Sequence, residues 1–177
     1  MEDDKKWFVM RDLRPVNAKR PAYKLLREEG FEVFTPMKYR WVTLKGKRIR
    51  EEFPFMHDLL FVYSLKSQLD PMVEKNPTLQ YRFLKGGKYK EPMVVRTKEM
   101  DRFINAVQNS SSFIYYTPEE ITPSMYGRTI RIVGGPLNGY EGALITVRGS
   151  KVKRLLVNLP LLVSAAVEVD PEFIQLI

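Results

Sequence analysis

The sequence contains no cysteine and a single histidine, His57. The first absence excludes disulfides, thiolate nucleophiles and cysteine-based zinc sites, and it fits a reducing compartment. The second excludes a multi-histidine metal centre and makes any Ser-His-Asp arrangement depend on one residue. Asp58 follows that histidine, but adjacent residues of a strand point to opposite faces, which places it poorly to orient an imidazole. The acidic pairs Glu28-Glu29, Glu51-Glu52 and Glu119-Glu120 are local neighbours and read as solvated charge. No constellation that catalysis requires is present, so no enzyme, metal or cofactor is expected. The opening MEDDKKWFVMRD has neither a signal-peptide pattern nor an apolar run of spanning length. A cytoplasmic protein without membrane contact is the expectation.

Acid is short in only one part of the chain. The formal net charge of +8 over 177 residues is carried by residues 1 to 117, where 23 Lys+Arg face 15 Asp+Glu, while residues 118 to 177 hold 6 of each. Residues 38 to 50 (KYRWVTLKGKRIR) carry six basic residues and no acid, interleaved with Tyr39 and Trp41. A second cluster, Arg82, Lys85, Lys88, Lys90, Arg96 and Lys98, is opposed within 82 to 98 by Glu91 alone. Such clusters are either solvated turns or the electrostatic footprint of a polyanion, most naturally nucleic acid.

The length suits one or two small domains. Periodicity gives strands and helices in alternation at first. Lys6 to Arg11 reads as a strand, and from Asn17 the apolar residues Ala18, Ala22, Leu25 and Leu26 trace one helical face that ends at Gly30. Phe31 to Thr35 and Tyr39 to Leu44 read as strands, Phe53 to Tyr63 as one long central strand, and Gln68 to Glu74 as a short helix. Leu79 to Leu84 and Met93 to Val95 suggest a hairpin through Gly86-Gly87. After Thr97, Met100, Phe103, Ile104 and Val107 fall on one helical face. A polar break then predicts a linker at 109 to 124, separating a domain at 1 to 108 from one at 125 to 177. The latter shows only strands, at 129 to 133, 143 to 147, 152 to 157, 162 to 169 and 173 to 177, which suggests a small closed barrel.

Between two of those strands lies GGPLNGYEG, residues 134 to 142. A phosphate loop would need GK[ST] or G-x-G-x-x-G opening a helix; ALITV, which follows here, is strand-like, and Pro136 removes a backbone donor. Gly135, Asn138, Gly139 and Gly142 therefore read as residues that shape a tight turn. Trp7, Phe8, Phe53, Phe55, Met56, Leu59, Leu60, Phe61 and Val62 exceed what one half-buried sheet face needs. Part of them belongs in a core, and the remainder suits an apolar patch for a protein partner.

The order WFV near the start, GFEVFTPM at 30 to 37, KGKR at 45 to 48, PFMHDLLFV at 54 to 62 and GRTIRIVGGPLNGYEG at 127 to 142 resembles the NusG transcription elongation factors, most closely their specialised RfaH and UpxY-type antiterminator relatives. The last segment is similar to the KOW motif. The resemblance implies an α+β chain: an α/β sandwich of the NusG N-terminal type at 1 to 108, then a small all-β, SH3-like KOW barrel. It implies a monomer that docks on the clamp helices of RNA polymerase and suppresses pausing and termination, for a set of operons such as those for capsular polysaccharide. The KOW domain would recruit a further protein partner. By position, docking falls to Met56, His57, Leu59, Phe83, Met100 and Phe103. Contact with non-template DNA or nascent RNA falls to Arg14, Lys19 and Arg20, joined by Lys45, Lys47 and Arg48 of the basic hairpin. His57-Asp58-Leu59 departs from the family pattern. The competing readings are a ribosome-associated KOW protein that binds structured RNA and a nucleotide-dependent enzyme.

Overall fold

The computed structural model describes residues 4–177, and the chain divides into two compact units at Thr97/Lys98. The first unit is organised by one antiparallel sheet. Strand β1 (Lys6–Asp12) pairs along its length with β5 (Leu59–Ser64), and β5 pairs on its other side with β2 (Glu32–Phe34). The free edge of β1 is shared by two short strands, β6 (Leu79–Tyr81) at its C-terminal end and β7 (Val94–Val95) nearer its start. The hairpin expected between 79 and 95 is present beyond these pairings: the Met93 amide donates to the Arg82 carbonyl at 2.7 Å and the Leu84 amide to the Glu91 carbonyl at 2.9 Å. Residues 82 to 93 form an excursion whose arms meet at the antiparallel bridge Phe83↔Pro92.

Alternation along β1 and β5 explains the core. Phe8, Met10, Leu60 and Val62 point to one face, where they pack with Ala22, Tyr23 and Leu26 of helix α1 (Ala22–Glu28) and with Leu69 of helix α2 (Lys66–Lys75). Trp7, Val9, Leu59 and Phe61 lie on the opposite face and are buried as well. Both sides of this sheet are covered, which is why its central strands read as continuous apolar runs. Helix α1 begins later than the periodicity suggested, because Pro21 occupies the N-cap position and the Asp12 carboxylate takes the Ala22 amide. Gly30, at φ +87°, ends it.

The long strand expected from Phe53 to Tyr63 is broken. Pro54 closes β4 (Lys47–Pro54), the Phe55 amide turns to the Pro36 carbonyl, and residues 55–58 bend before β5 begins. Strand β4 pairs only with β3 (Met37–Leu44), over eight residue pairs, as a separate two-stranded ribbon. Its two-residue turn, Lys45-Gly46, has φ +50° and +74°, the two positive values that a tight primed turn demands.

The second unit opens with helix α3 (Thr97–Gln108), whose Met100, Phe103, Ala106 and Val107 are buried along one face. A six-stranded antiparallel sheet follows, in the order β13-β9-β10-β11-β12-β8. Its members are β8 (Phe113–Tyr116), β9 (Tyr126–Ile132), β10 (Glu141–Ile145), β11 (Arg154–Leu159), β12 (Val163–Glu168) and β13 (Ile174–Leu176). Five of these lie near the expected strands. The sixth, β8, falls inside the stretch read as a linker, where it pairs with β12 through Phe113↔Val167 to Tyr116↔Ser164. Serines had argued for a loop, yet Ser111 and Ser112 hydroxyls bind the Glu168 carboxylate and fasten β8 to the end of β12. The division thus falls at the start of α3 rather than after it, and residues 109–124 carry a strand and two short 3-10 turns.

Candidate functional site

The β3-β4 ribbon is the most exposed element of the first unit. Because it joins no other strand, neither face is covered by sheet, and Tyr39 (54% exposed) and Trp41 (60%) stand in solvent. Basic side chains lie on the rings. The Arg50 guanidinium is 3.9 Å from the Tyr39 ring centre, Arg48 is 4.8 Å from Trp41, Arg40 is 4.8 Å from Phe53, and the Lys38 ammonium is 4.6 Å from Phe55. Cation–π attraction of this kind holds long side chains in fixed places at modest energy, about 0.5–1 kcal/mol each at exposed sites. Arg40 is also paired with Glu51 at 2.9 Å. Lys45, Lys47 and Arg48, expected to meet nucleic acid, cluster at the exposed tip, with Lys45 in the turn itself.

The loop after β1 is differently built. The Arg14 amide donates to Asp12, its Nε donates to Thr78 Oγ1 at 3.2 Å, and its terminal nitrogens donate to the Arg20 carbonyl and to Asn76. Arg14 is thus a half-buried tie that binds this loop to the end of α2, which corrects the expectation of a side chain held out for DNA. The Arg20 guanidinium pairs with Glu28, and Lys19 is exposed. His57 contacts the Arg14 carbonyl oxygen through Nε2, so the lone histidine serves the same loop. Residues 16–18, the base of the ribbon at Arg40 and Glu51–Pro54, and His57 line one cleft. Two groups that stood far apart in sequence, the loop after β1 and the hairpin, are thereby neighbours.

The apolar residues expected to dock a partner separate into two sets. Met56 is half-buried in the bend before β5 and Phe83 is 48% exposed, with Leu84 beside it at 45%. Leu59, Met100 and Phe103 are corrections: all three are sealed, at 1%, 0% and 0% exposure. Leu59 lies in the central strand of a sheet covered on both faces. Met100 and Phe103 occupy the apolar stripe of α3, and Phe103 stacks on Tyr115 of β8 with ring centres 6.3 Å apart. Sequence reasoning found the stripe and could not tell that the chain's own strand would use it. It also missed Leu84, an exposed apolar residue of the excursion whose only signal was the lysine and glycines after it, and Val94 of β7, exposed as well.

Basic residues of that excursion divide in the same way. Arg82 is half-buried, 3.6 Å from Asp58, and burial pulls its pKa down against the opposing pull of that carboxylate. Lys85, Lys88 and Lys90 are exposed.

The glycine-rich turn between β9 and β10 is closed by its own hydrogen bonds. The Gly134 amide donates to Asn138 Oδ1 at 2.7 Å, the Asn138 amide to the Gly135 carbonyl at 3.2 Å, and the Gly139 amide to the Ile132 carbonyl at 2.8 Å. These three backbone donors are thus engaged within the turn itself. Gly135 and Gly139 have φ +68° and +88°, whereas Gly142 sits in β10, where a side chain would meet the Leu156 carbonyl oxygen at 3.0 Å. The Phe173 ring lies against Gly134 and Gly135. The turn also seats α3: Tyr140 Oη donates to the Arg102 carbonyl at 2.8 Å, Asn105 donates to Tyr140 Oη at 3.0 Å, and the Arg102 guanidinium lies 4.8 Å from the Tyr140 ring centre while donating to the Glu141 carbonyl. Its role is architectural.

None of the helices among the described residues is long and apolar enough to cross a membrane. Residues 5–104 match the family model described as "Transcription termination factor nusG". No curated protein sequence matches the chain. The matched stretch takes in the whole first sheet, the basic ribbon and the first two turns of α3.

Proposed function

Because the chain belongs to the NusG family of transcription factors, we propose that it is an elongation factor which binds RNA polymerase through the first unit and contacts nucleic acid through the basic ribbon beside it. The family match over residues 5–104 carries this reading. The polymerase-facing residues are Phe83 and Met56, expected docking residues that remain open to solvent, with Leu84 beside Phe83. Met100 and Phe103, buried within the second unit, are left out of that surface. Nucleic-acid contact falls to Lys19, Lys45, Lys47 and Arg48, with Arg14 holding the adjoining loop. The second unit, read as a KOW-type module, recruits a further protein partner, and the factor suppresses pausing and termination at a restricted set of operons of the UpxY type.

The test is co-purification with core RNA polymerase, coupled to single-round transcription through a pause and a terminator. The wild-type chain is expected to bind and to raise read-through. Phe83→Asp is expected to lose binding while keeping the wild-type circular dichroism spectrum. Sedimentation with ribosomes and not with polymerase would replace this reading with the ribosomal one. Increased termination would reverse the sign of the proposed effect.

A further inference from the structure

The arrangement of side chains on one face of the β3-β4 ribbon goes beyond a generic basic patch. Register places Tyr39 opposite Glu52, Trp41 opposite Arg50 and Thr43 opposite Arg48, and residues two apart on a strand share a face, on which Glu52 is the one acid. Tyr39, Arg50, Trp41 and Arg48 therefore form a ladder in which ring and guanidinium alternate, with each guanidinium stacked on a ring as measured above. The other face differs: it carries Val42, Ile49 and the Arg40–Glu51 ion pair. Ribbon residues Lys38, Arg40, Lys45, Lys47, Arg48 and Arg50 outnumber Glu51 and Glu52, so the whole element is cationic.

Spacing gives the ladder its chemistry. Side chains two apart on a strand stand about 6.6–6.8 Å apart, which is about twice the 3.4 Å separation of stacked bases. In the free protein the Arg50 guanidinium covers the Tyr39 ring and the Arg48 guanidinium covers the Trp41 ring, so each ring already holds one planar group. A nucleobase has the same thickness and a larger π face. On its entry the guanidinium can swing outward to a phosphate, where charge-assisted bonds are stronger than at a ring. Base pairs inside a duplex offer no free face, so this geometry selects unpaired nucleotides.

We propose that the Tyr39–Arg50–Trp41–Arg48 face of the ribbon is a stacking platform for single-stranded nucleic acid, with the two rings taking unpaired bases and the two arginines taking the flanking phosphates. This deepens the nucleic-acid half of the function above and does not depend on polymerase.

The experiment is titration of the purified full chain against fluorescein-labelled 12-nucleotide single-stranded DNA, RNA of the same sequence, and the blunt DNA duplex, followed by anisotropy. The single strands are expected to bind more tightly than the duplex, and the DNA and RNA arms decide which backbone is preferred. Trp41→Ala and Tyr39→Ala should each weaken single-strand binding about five- to a hundred-fold, while leaving the slope of log K against log salt unchanged. Trp41→Phe should retain most of the affinity. Arg48→Gln and Arg50→Gln should each lower that slope by about 0.7. All four positions are exposed on the ribbon, and circular dichroism checks that each variant is folded. Duplex binding equal to single-strand binding, or wild-type affinity in the Tyr39→Ala, Trp41→Ala double variant, overturns the platform. Loss of polymerase binding in that double variant, with nucleic-acid affinity intact, assigns the face to a protein and also overturns it. The predicted binding pattern in a chain that never co-purifies with polymerase keeps the platform and sinks the elongation-factor reading.

Discussion

Phe103 separates two accounts of the α3 stripe, because a docking residue and a core residue respond oppositely to truncation. The side chain is fully buried and stacked on Tyr115. Removing a buried phenyl ring costs about 3–5 kcal/mol when the surroundings cannot collapse into the space. A unit the size of residues 98–177 is stabilised by roughly 4–12 kcal/mol in all, so Phe103→Ala removes a large share of it. Tryptophan fluorescence would miss this, since both tryptophans, Trp7 and Trp41, lie in the first unit. Amide hydrogen exchange read on β8 and β12 is the suitable assay. At 1.4 kcal/mol per tenfold, protection there should drop by about two to three and a half orders of magnitude. Phe103→Leu, which keeps most of the volume, should cost under about 1.5 kcal/mol. Phe83→Ala, at a half-exposed ring, should stay within about 0.5 kcal/mol of wild type. Protection in Phe103→Ala within threefold of wild type would show that the ring contributes nothing to the second unit, and the burial argument would fail.

Four further substitutions have outcomes set by local geometry. Asp12→Ala strips the acceptor from the amides of Arg14 and Ala22, each bonded at 2.9 Å, and should cost about 1–3 kcal/mol per orphaned amide in urea unfolding followed by Trp7. Gly142→Ala would drive a methyl to 3.0 Å from the Leu156 carbonyl oxygen and should destabilise by about 1–3 kcal/mol through overpacking. Gly139→Ala, at φ +88° in open space, should cost about 1–2 kcal/mol by backbone strain alone, so rescue by Asn is expected at 139 and not at 142. For Asp70, burial raises the pKa, but hydrogen bonds from Tyr81 and Lys66 prevail and hold it below its ordinary 3.8. A lowered folded value means that the ion stabilises the fold above pH 3.8 and that this contribution disappears as pH falls through the folded value. Asp70→Asn should therefore be less stable than wild type at pH 6 and should close that gap below pH 3.8. With 37% of the side chain exposed, the gap at pH 6 should stay under about 1 kcal/mol. An unchanged gap at acid pH would refute the assignment.

Local chemistry was legible in the sequence wherever the cause was local. The run KWFVMR made β1, Lys45-Gly46 closed a ribbon, Met100, Phe103 and Val107 marked a helical face, and the segment from Gly134 to Gly142 made a turn. Pro54 was visible too, yet its effect in splitting one apolar run into β4 and β5 depended on Pro36, a distant acceptor for the next amide. The ring and guanidinium ladder lay between these extremes. Alternation of Tyr39 and Trp41 was plain, but placing Arg50 and Arg48 against them needed the eight-pair register of the ribbon.

The sequence by itself determined most of the element types, the glycine-bearing turns, the concentration of charge in the first part and the family to which that part belongs. Only the tertiary structure decided which apolar faces stay open. Periodicity states that a stripe on α3 will leave water, but the partner that covers it is chosen by contacts between residues far apart in the chain. Here the choice of Tyr115 turned an expected docking surface into core, and pairing with β12 turned an expected linker into a strand. Arg14 shows the same for charge: its sign was readable, whereas its engagement by Thr78, Asn76 and the Arg20 carbonyl arose only when the loop after β1 folded against the end of α2.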